Sequence, residues 1–241
     1  MNWHDRYVQQ AGWTRDLRNY LFNQAGLKEA QRVLEVGCGT GAILSDLTFP
    51  AAPHGLDLDA GALVDARRHA PGAILVRGDA LALPYADFIF DITYCHFLLL
   101  WVRDPLQAAR EMARVTRPQG FVLALAEPDH TARVDKPDSL AQLGKWQTES
   151  LRAQGADVSL GARLAQTFDR AGIEIVETGA IRQGHEAAIG GQEQEWAVIT
   201  ADLRGRVAEG EIHKMKLLDI EARARGERVL HVPTYFALGR V

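Results

Sequence analysis

Short apolar runs alternate with longer stretches of helical periodicity through the first half of the chain, and this alternation predicts parallel strands joined by crossover helices. Arg32-Val33-Leu34-Glu35-Val36 is rich in apolar and β-branched residues, runs into a glycine cluster, and reads as a buried first strand. The glycines open a predicted helix over 41–48. A second strand is expected over 54–58, with Asp59 behind it as the N-cap of a helix ending near His69. Residues 73–76 and 88–94 read as the third and fourth strands. Asp104-Pro105 then sets a capping carboxylate before a proline at the first helical position, and Leu106, Ala109, Met112 and Val115 follow at helical spacing. Pro118-Gln119-Gly120 breaks that helix, and the apolar run 121–126 predicts a central fifth strand.

Beyond Glu127-Pro128 the pattern becomes helical, over 139–154 and 160–171, before a sixth strand at 173–181. A loop carrying Gly184, Gly190 and Gly191 leads to a mostly helical stretch over 192–225, and residues 234–238 form a last strand. No internal repeat or low-complexity linker interrupts the order. The fold class is therefore α/β, with helices on both faces of a mostly parallel sheet.

The candidate chemistry gathers where the first strand ends. Gly37, Gly39 and Gly41 alternate after it, and each missing Cβ lets backbone approach a ligand and take positive φ. Such a loop alone fits a tight turn, and the spacing of Gly37, Gly39 and Ala42 also fits a nicotinamide or flavin dinucleotide site. Glu35 separates the readings: two residues ahead of the first glycine, a carboxylate meets an ammonium group but repels a pyrophosphate. Asp57, at the end of the second strand, is placed to accept from ribose hydroxyls, with Asp59 as the alternative if that strand ends later. Gly78-Asp79-Ala80 follows the third strand, where the carboxylate suits an adenine amino group and the next N–H the ring.

Glu35-Val36-Gly37-Cys38-Gly39-Thr40-Gly41, Gly55-Leu56-Asp57-Leu58-Asp59 and the run 78–91 together resemble the successive motifs of class I (Rossmann-like) S-adenosylmethionine-dependent methyltransferases. The resemblance covers roughly residues 30–130 and is closest to small-molecule enzymes similar to those of quinone biosynthesis. It implies a seven-stranded sheet whose last strand is antiparallel. It implies S-adenosylmethionine as cofactor, with Glu35, Gly37, Cys38, Gly39 and Gly41 at its methionine part, Asp57 and Leu58 at the ribose, Asp79 and Ala80 at adenine, and Cys95 beside them. Residues 1–28 are expected to form a helical lid in which Trp3, Tyr7, Trp13 and Tyr20 pack. Residues 29–241 would then form the methyltransferase domain, with 138–170 and 192–226 as helical cap elements. The expected reaction is in-line methyl transfer to a small organic acceptor. The alternatives are an NAD(P)-dependent oxidoreductase and a non-catalytic protein that binds S-adenosylmethionine.

Acceptor-facing groups should project from the fourth and fifth strands, which nominates Tyr94, His96 and His130 as catalytic candidates, with His185 behind them. Asp91 is read as support behind the glycine loop, and residues 98–101 as core. The chain has 241 residues and a formal charge of −4, with Lys and Arg scattered, which disfavours a nucleic-acid partner. The fourth strand also lacks the Asn/Asp-Pro-Pro-aromatic run of base-methylating enzymes. Two distant cysteines, Cys38 and Cys95, fit neither a disulfide framework nor a zinc site, and no metal site is expected. No apolar run approaches membrane-spanning length, so a cytoplasmic protein with no membrane partner is expected.

Overall fold

A computed structural model describes residues 3–181 and 192–241. Nine strands and eight α-helices are assigned within them. The order is α1 (Trp3–Trp13), α2 (Arg15–Gln24), β1 (Val33–Val36), β2 (His54–Asp57), α3 (Ala60–His69), β3 (Ile74–Arg77), β4 (Phe90–Cys95), α4 (Pro105–Val115) and β5 (Thr116–Pro128). There follow β6 (Val134–Lys136), α5 (Ala141–Ala153), α6 (Leu160–Arg170), β7 (Glu174–Ile181), α7 (Gln192–Leu203), α8 (Glu209–Ala224), β8 (Val229–His231) and β9 (Thr234–Arg240).

Seven strands form one sheet in the order β3-β2-β1-β4-β5-β9-β7. All pairs are parallel except those of β9, which runs antiparallel to both β5 and β7. β1 and β4, wholly buried, sit side by side in the middle of the sheet, as their mostly apolar sequences favour. Strand order reverses between them, so the crossovers leaving β1 and β4 diverge and open a crevice at their carboxyl ends.

One face of the sheet is covered by α4 and α6, whose Met112, Leu164 and Phe168 pack with Leu34, Val122 and Ala124. The other face meets α2, whose Leu21 and Phe22 pack against Val33, Tyr94 and Leu123. Helices α5, α7 and α8 build a separate small core around Leu143, Trp196, Ile199 and Met215, beside the two-stranded ribbon of β6 and β8.

Three sequence expectations change. Residues 41–48 form no helix: the Ser45 N–H donates to Gly41 O and the Asp46 N–H to Ile43 O, a pair of turns. Pro50 biases the preceding residue away from helix, and Asp46 is held by Arg15 and Arg18 instead. β5 starts earlier than expected, at Thr116, taking in residues 118–120 where Gln119 turns to φ +66°. Asp91 supports the opposite end of β1 from the glycine loop, accepting from the Gln31 and Arg32 N–H groups (2.6 and 2.8 Å) and pairing with Arg117. Gly184, His185, Gly190 and Gly191 lie outside the described residues. Among the described residues no helix is long and apolar enough to cross a membrane.

Candidate active site

A cavity of about 850 Å³ lies over the carboxyl ends of β1 and β4. Of the residues nominated by sequence, Glu35, Gly37, Cys38, Gly39, Asp57, His96 and His130 line it. The alternation of glycines follows from close packing. Gly37 takes φ +74°, and a Cβ there would stand 2.6 Å from Leu98 Cδ1. Gly39, at φ +51°, lies beneath the Tyr7 ring. Gly37→Ala should therefore destabilise the protein by about 1–2 kcal/mol through backbone strain alone, with the Leu98 clash added, which thermal melts would read. Gly41 lies apart, its open side turned toward Ala66 of α3 and Ala70 just past the helix end.

Glu35 is 2% exposed, and its Oε2 accepts one hydrogen bond, from the Tyr94 hydroxyl at 3.1 Å. Burial pushes its carboxyl up to about 8, against the opposing pull of the Tyr94 hydrogen bond and the Arg18 charge. An ammonium group in the cavity would restore the ionised form. Asp57 is already oriented: Oδ2 accepts from the Gly39 N–H (2.7 Å) and Oδ1 from the Asp59 N–H (2.9 Å), leaving lone pairs for further donors. Asp59 itself caps α3, accepting from Gly61 and Ala62 N–H groups, which fixes Asp57 as the carboxylate that faces the cavity. The chemistry of these groups fits S-adenosylmethionine, since a buried carboxylate suits an ammonium group and an oriented one suits hydroxyl donors. Asp79 is exposed and accepts from the Leu81 N–H at 2.9 Å, Ala80 is buried, and Leu58 is 63% exposed. None of the three lines the cavity.

Tyr94 and Cys95 are fully buried, so Tyr94 serves Glu35 rather than facing the cavity. His96 does face it. Its Nε2 lies 3.0 Å from Thr14 Oγ1, which in turn lies 3.2 Å from the Ala11 carbonyl and 3.1 Å from Arg18 Nη1. With the Thr14 hydroxyl donating to Ala11 O, Nε2 is the donor to Thr14 and Nδ1 keeps its lone pair. Burial, aided by Arg18, brings the His96 imidazole down to about 3. His130 is half-buried, with Nδ1 lacking a partner, and burial and Arg133 bring it down to about 4.

Residues 98–101 are wall as well as core: Leu99 is buried, while Leu98, Leu100 and Trp101 line the cavity. They are held by Glu127, whose carboxylate accepts from the N–H groups of Leu98, Leu99 and Leu100. Among the described residues no group of three or more His, Cys, Asp or Glu side chains is placed to hold a metal.

Helix α1 covers the glycine loop with Tyr7, and His4 Nδ1 reaches Thr40 Oγ1 at 2.9 Å. Trp3, Tyr7 and Trp13 line the cavity; Tyr20 does not, since it is 45% exposed and donates to Glu177. Sequence reasoning missed Arg18, fully buried behind His96 and Glu35. The signal was present, since Arg18 shares a helical face with Leu21 and Phe22 at i+3 and i+4.

Residues 34–124 match the family model described as a methyltransferase domain. Over that stretch the chain is similar to methyltransferase domains. The chain is 39% identical over 128 residues to a demethylmenaquinone methyltransferase of Renibacterium salmoninarum, covering 51% of this chain and 52% of that one. It is 36% identical over 119 residues to a malonyl-[acyl-carrier protein] O-methyltransferase of Erwinia billingiae, covering 48% and 47%. These alignments span about half the length of the curated relatives. The fold extends further: a putative methyltransferase from Bacillus halodurans superposes with TM-score 0.60 at 16% identity, covering 92% of this chain and 97% of the other.

Proposed function

We propose that this protein transfers a methyl group from S-adenosylmethionine to a small organic acceptor. Glu35 carries the reading, as a buried carboxylate at the cavity wall whose one protein hydrogen-bond partner is neutral. Such a group calls for a cation and disfavours a pyrophosphate over the same loop, which argues against a nicotinamide dinucleotide. The matched relatives' names and the resemblance to quinone-biosynthesis enzymes support methyl transfer.

When bound, S-adenosylmethionine supplies an electrophilic methyl group on a sulfonium. Glu35 and the Gly37–Gly39 turn would hold the amino-acid end, Asp57 the ribose, and Asp79 with Ala80 the exposed adenine end. Helix α1 would act as a lid, Tyr7 resting on the loop, while α5 and α7 cap the acceptor side. Together they exclude water from the reacting atoms. His96 Nδ1 would accept a hydrogen bond from the acceptor and align its nucleophile, and His130 Nδ1 offers a second such contact. Since His96 stays neutral across the working range, it orients rather than serving as a strong base.

His96→Ala should lower kcat about tenfold, the worth of roughly one hydrogen bond, with little change in S-adenosylhomocysteine affinity. The wild-type rate profile should show no inflection from His96 between about pH 6 and 8. Calorimetric titration with S-adenosylhomocysteine and with NAD tests the whole reading, followed by transfer of labelled methyl to an acceptor panel. Binding of the first ligand alone, with transfer, supports it. Binding of NAD instead overturns it, and binding without any transfer reduces it to a sensor of the cofactor.

A further inference from the structure

The charged side chains of the acceptor half form an unusual balance. Beyond Glu35 and Asp57, the acidic and basic residues on the cavity wall, its histidines aside, are Arg6, Arg133, Glu195 and Asp202. Arg133 and Glu195 are the two ends of one chain of ion pairs. Arg133 Nε donates to Asp135 Oδ2 at 2.7 Å, and Asp135 Oδ1 accepts from Arg228 at 2.9 Å. Arg228 Nε meets Asp219 Oδ1 at 2.6 Å, Arg223 Nε meets Asp219 Oδ2 at 2.8 Å, and Arg223 Nη2 closes on Glu195 at 3.0 Å. Three guanidinium groups thus face three carboxylates, with Trp196 Nε1 adding a donor to Asp219. The chain is built in rather than casual. Its interior members Asp135, Arg228 and Asp219 are nearly inaccessible, and the Asp135 carboxylate fills the space a Cβ on Gly144 would need.

The second pair is looser. Arg6 sits 5.0 Å over the Trp13 ring and donates to Gln9, and its charge interacts with Glu195 and with Asp202. The two cavity imidazoles add no charge, because burial and the neighbouring Arg18 and Arg133 keep them neutral. The remaining wall is uncharged: Leu98, Leu100, Trp101, Leu151, Val198 and Ile199 form its apolar part, and Gln147, Gln154 and Thr234 add neutral polar groups. An acceptor carboxylate or phosphate would need a cation with charge to spare, and an ammonium acceptor an unmatched carboxylate. Across the acceptor half two guanidinium groups balance two carboxylates, so the wall offers no net charge of either sign.

From this balance we infer that the acceptor is an uncharged amphiphile, an apolar body carrying a hydroxyl or similar hydrogen-bonding group, and that Glu195 and Arg6 set this preference from opposite sides. The inference rests on the proposed methyl-transfer reading and names its substrate class.

The test uses the full chain saturated with S-adenosylhomocysteine and three probes on one ring system: 2-naphthol, 2-naphthoate and 2-naphthylmethylammonium. Calorimetry should show the naphthol bound at least about tenfold more tightly than either ion. Glu195→Gln leaves the ion-pair chain one positive charge in excess and should favour naphthoate by about tenfold relative to wild type. Arg6→Gln should shift preference toward the ammonium probe. Opposite shifts from the two variants are a charge signature that a general loss of packing would not give, and S-adenosylhomocysteine titration of each variant reports that it is folded. Tightest wild-type binding of an ion, binding of none of the probes, or an unchanged order in both variants overturns the inference. Failure of S-adenosylhomocysteine to bind wild type, seen in the first titration, overturns the underlying reading instead.

Discussion

Glu35→Gln should weaken S-adenosylhomocysteine binding by about 1.5–3 kcal/mol, roughly 10–150-fold in Kd, while leaving the fold intact. The amide keeps an oxygen for the Tyr94 hydroxyl and loses only the charge. The pH dependence makes the test sharper. In the free protein burial holds the Glu35 carboxyl up to about 8, so at about pH 6.5 it is largely protonated. Binding an ammonium favours the ionised form, and the proton must leave. Calorimetry in buffers of different ionisation enthalpy should therefore show proton release of up to about one per site in wild type, and far less in Glu35→Gln. Affinity should rise with pH from about 5 toward 8. The stability of the ligand-free protein runs the other way. A carboxyl raised in the folded state contributes stability fully present below its unfolded value of 4.5 and lost as pH rises through about 8, so ligand-free Glu35→Gln should melt higher than wild type at about pH 8. Unchanged titration curves would remove the basis for the cofactor assignment.

The sheet and the cofactor half were legible in the sequence because both are local. A buried parallel strand announces itself by a mostly apolar run, as residues 33–36 do around Glu35 and 121–126 do without a break, and Gly37 and Gly39 announce a backbone that must turn into positive φ. The first crossover helix was misread because residues 41–48 have helical composition but a tertiary partner: Asp46 is drawn to Arg15 and Arg18 from a helix 28 to 31 positions away. Asp91 was assigned to the glycine-loop end of β1 rather than its start, because a single buried carboxylate gives no direction from sequence alone. The acceptor half was largely illegible for the same reason. Its ion-pair chain joins Arg133 and Asp135 to Arg223 and Arg228, residues about ninety positions apart that meet when β6 pairs with β8. No local periodicity encodes such a meeting. Arg18 is the exception, a charge on an apolar helical face whose position alone marks it as buried and paired.

The same distinction between local and tertiary determinants explains why Glu127, which follows the legible fifth strand's apolar run, controls the shape of the acceptor wall. Its carboxylate accepts from Leu98 and Leu99 N–H groups at Oε1 (3.0 and 2.9 Å) and from Leu100 at Oε2 (3.1 Å), in a segment where Phe97 already holds φ +52°. Glu127→Ala would strand three backbone donors, two of them on fully or nearly fully buried residues, at about 1–3 kcal/mol for each left unpaired. The expected loss is about 3 kcal/mol or more, roughly 6–12 °C or more in Tm for a chain of this size. Because Leu98 also fills the space beside Gly37, the damage should extend to the glycine turn and weaken S-adenosylhomocysteine binding as well. Glu127→Gln should be intermediate, since one oxygen can still serve Leu98 and Leu99 while its NH2 group meets the Leu100 donor head-on. Burial pushes the Glu127 carboxyl up to about 7 despite its three donors, so its contribution to stability is present below about pH 4.5 and lost as pH rises through 7, the same sign as Glu35. No ligand charge meets Glu127. Saturating S-adenosylhomocysteine should therefore cancel the part of the alkaline stability loss that disappears in Glu35→Gln and leave the part that Glu127 carries, a separation that melts at two ligand concentrations across pH 5 to about 8 would resolve.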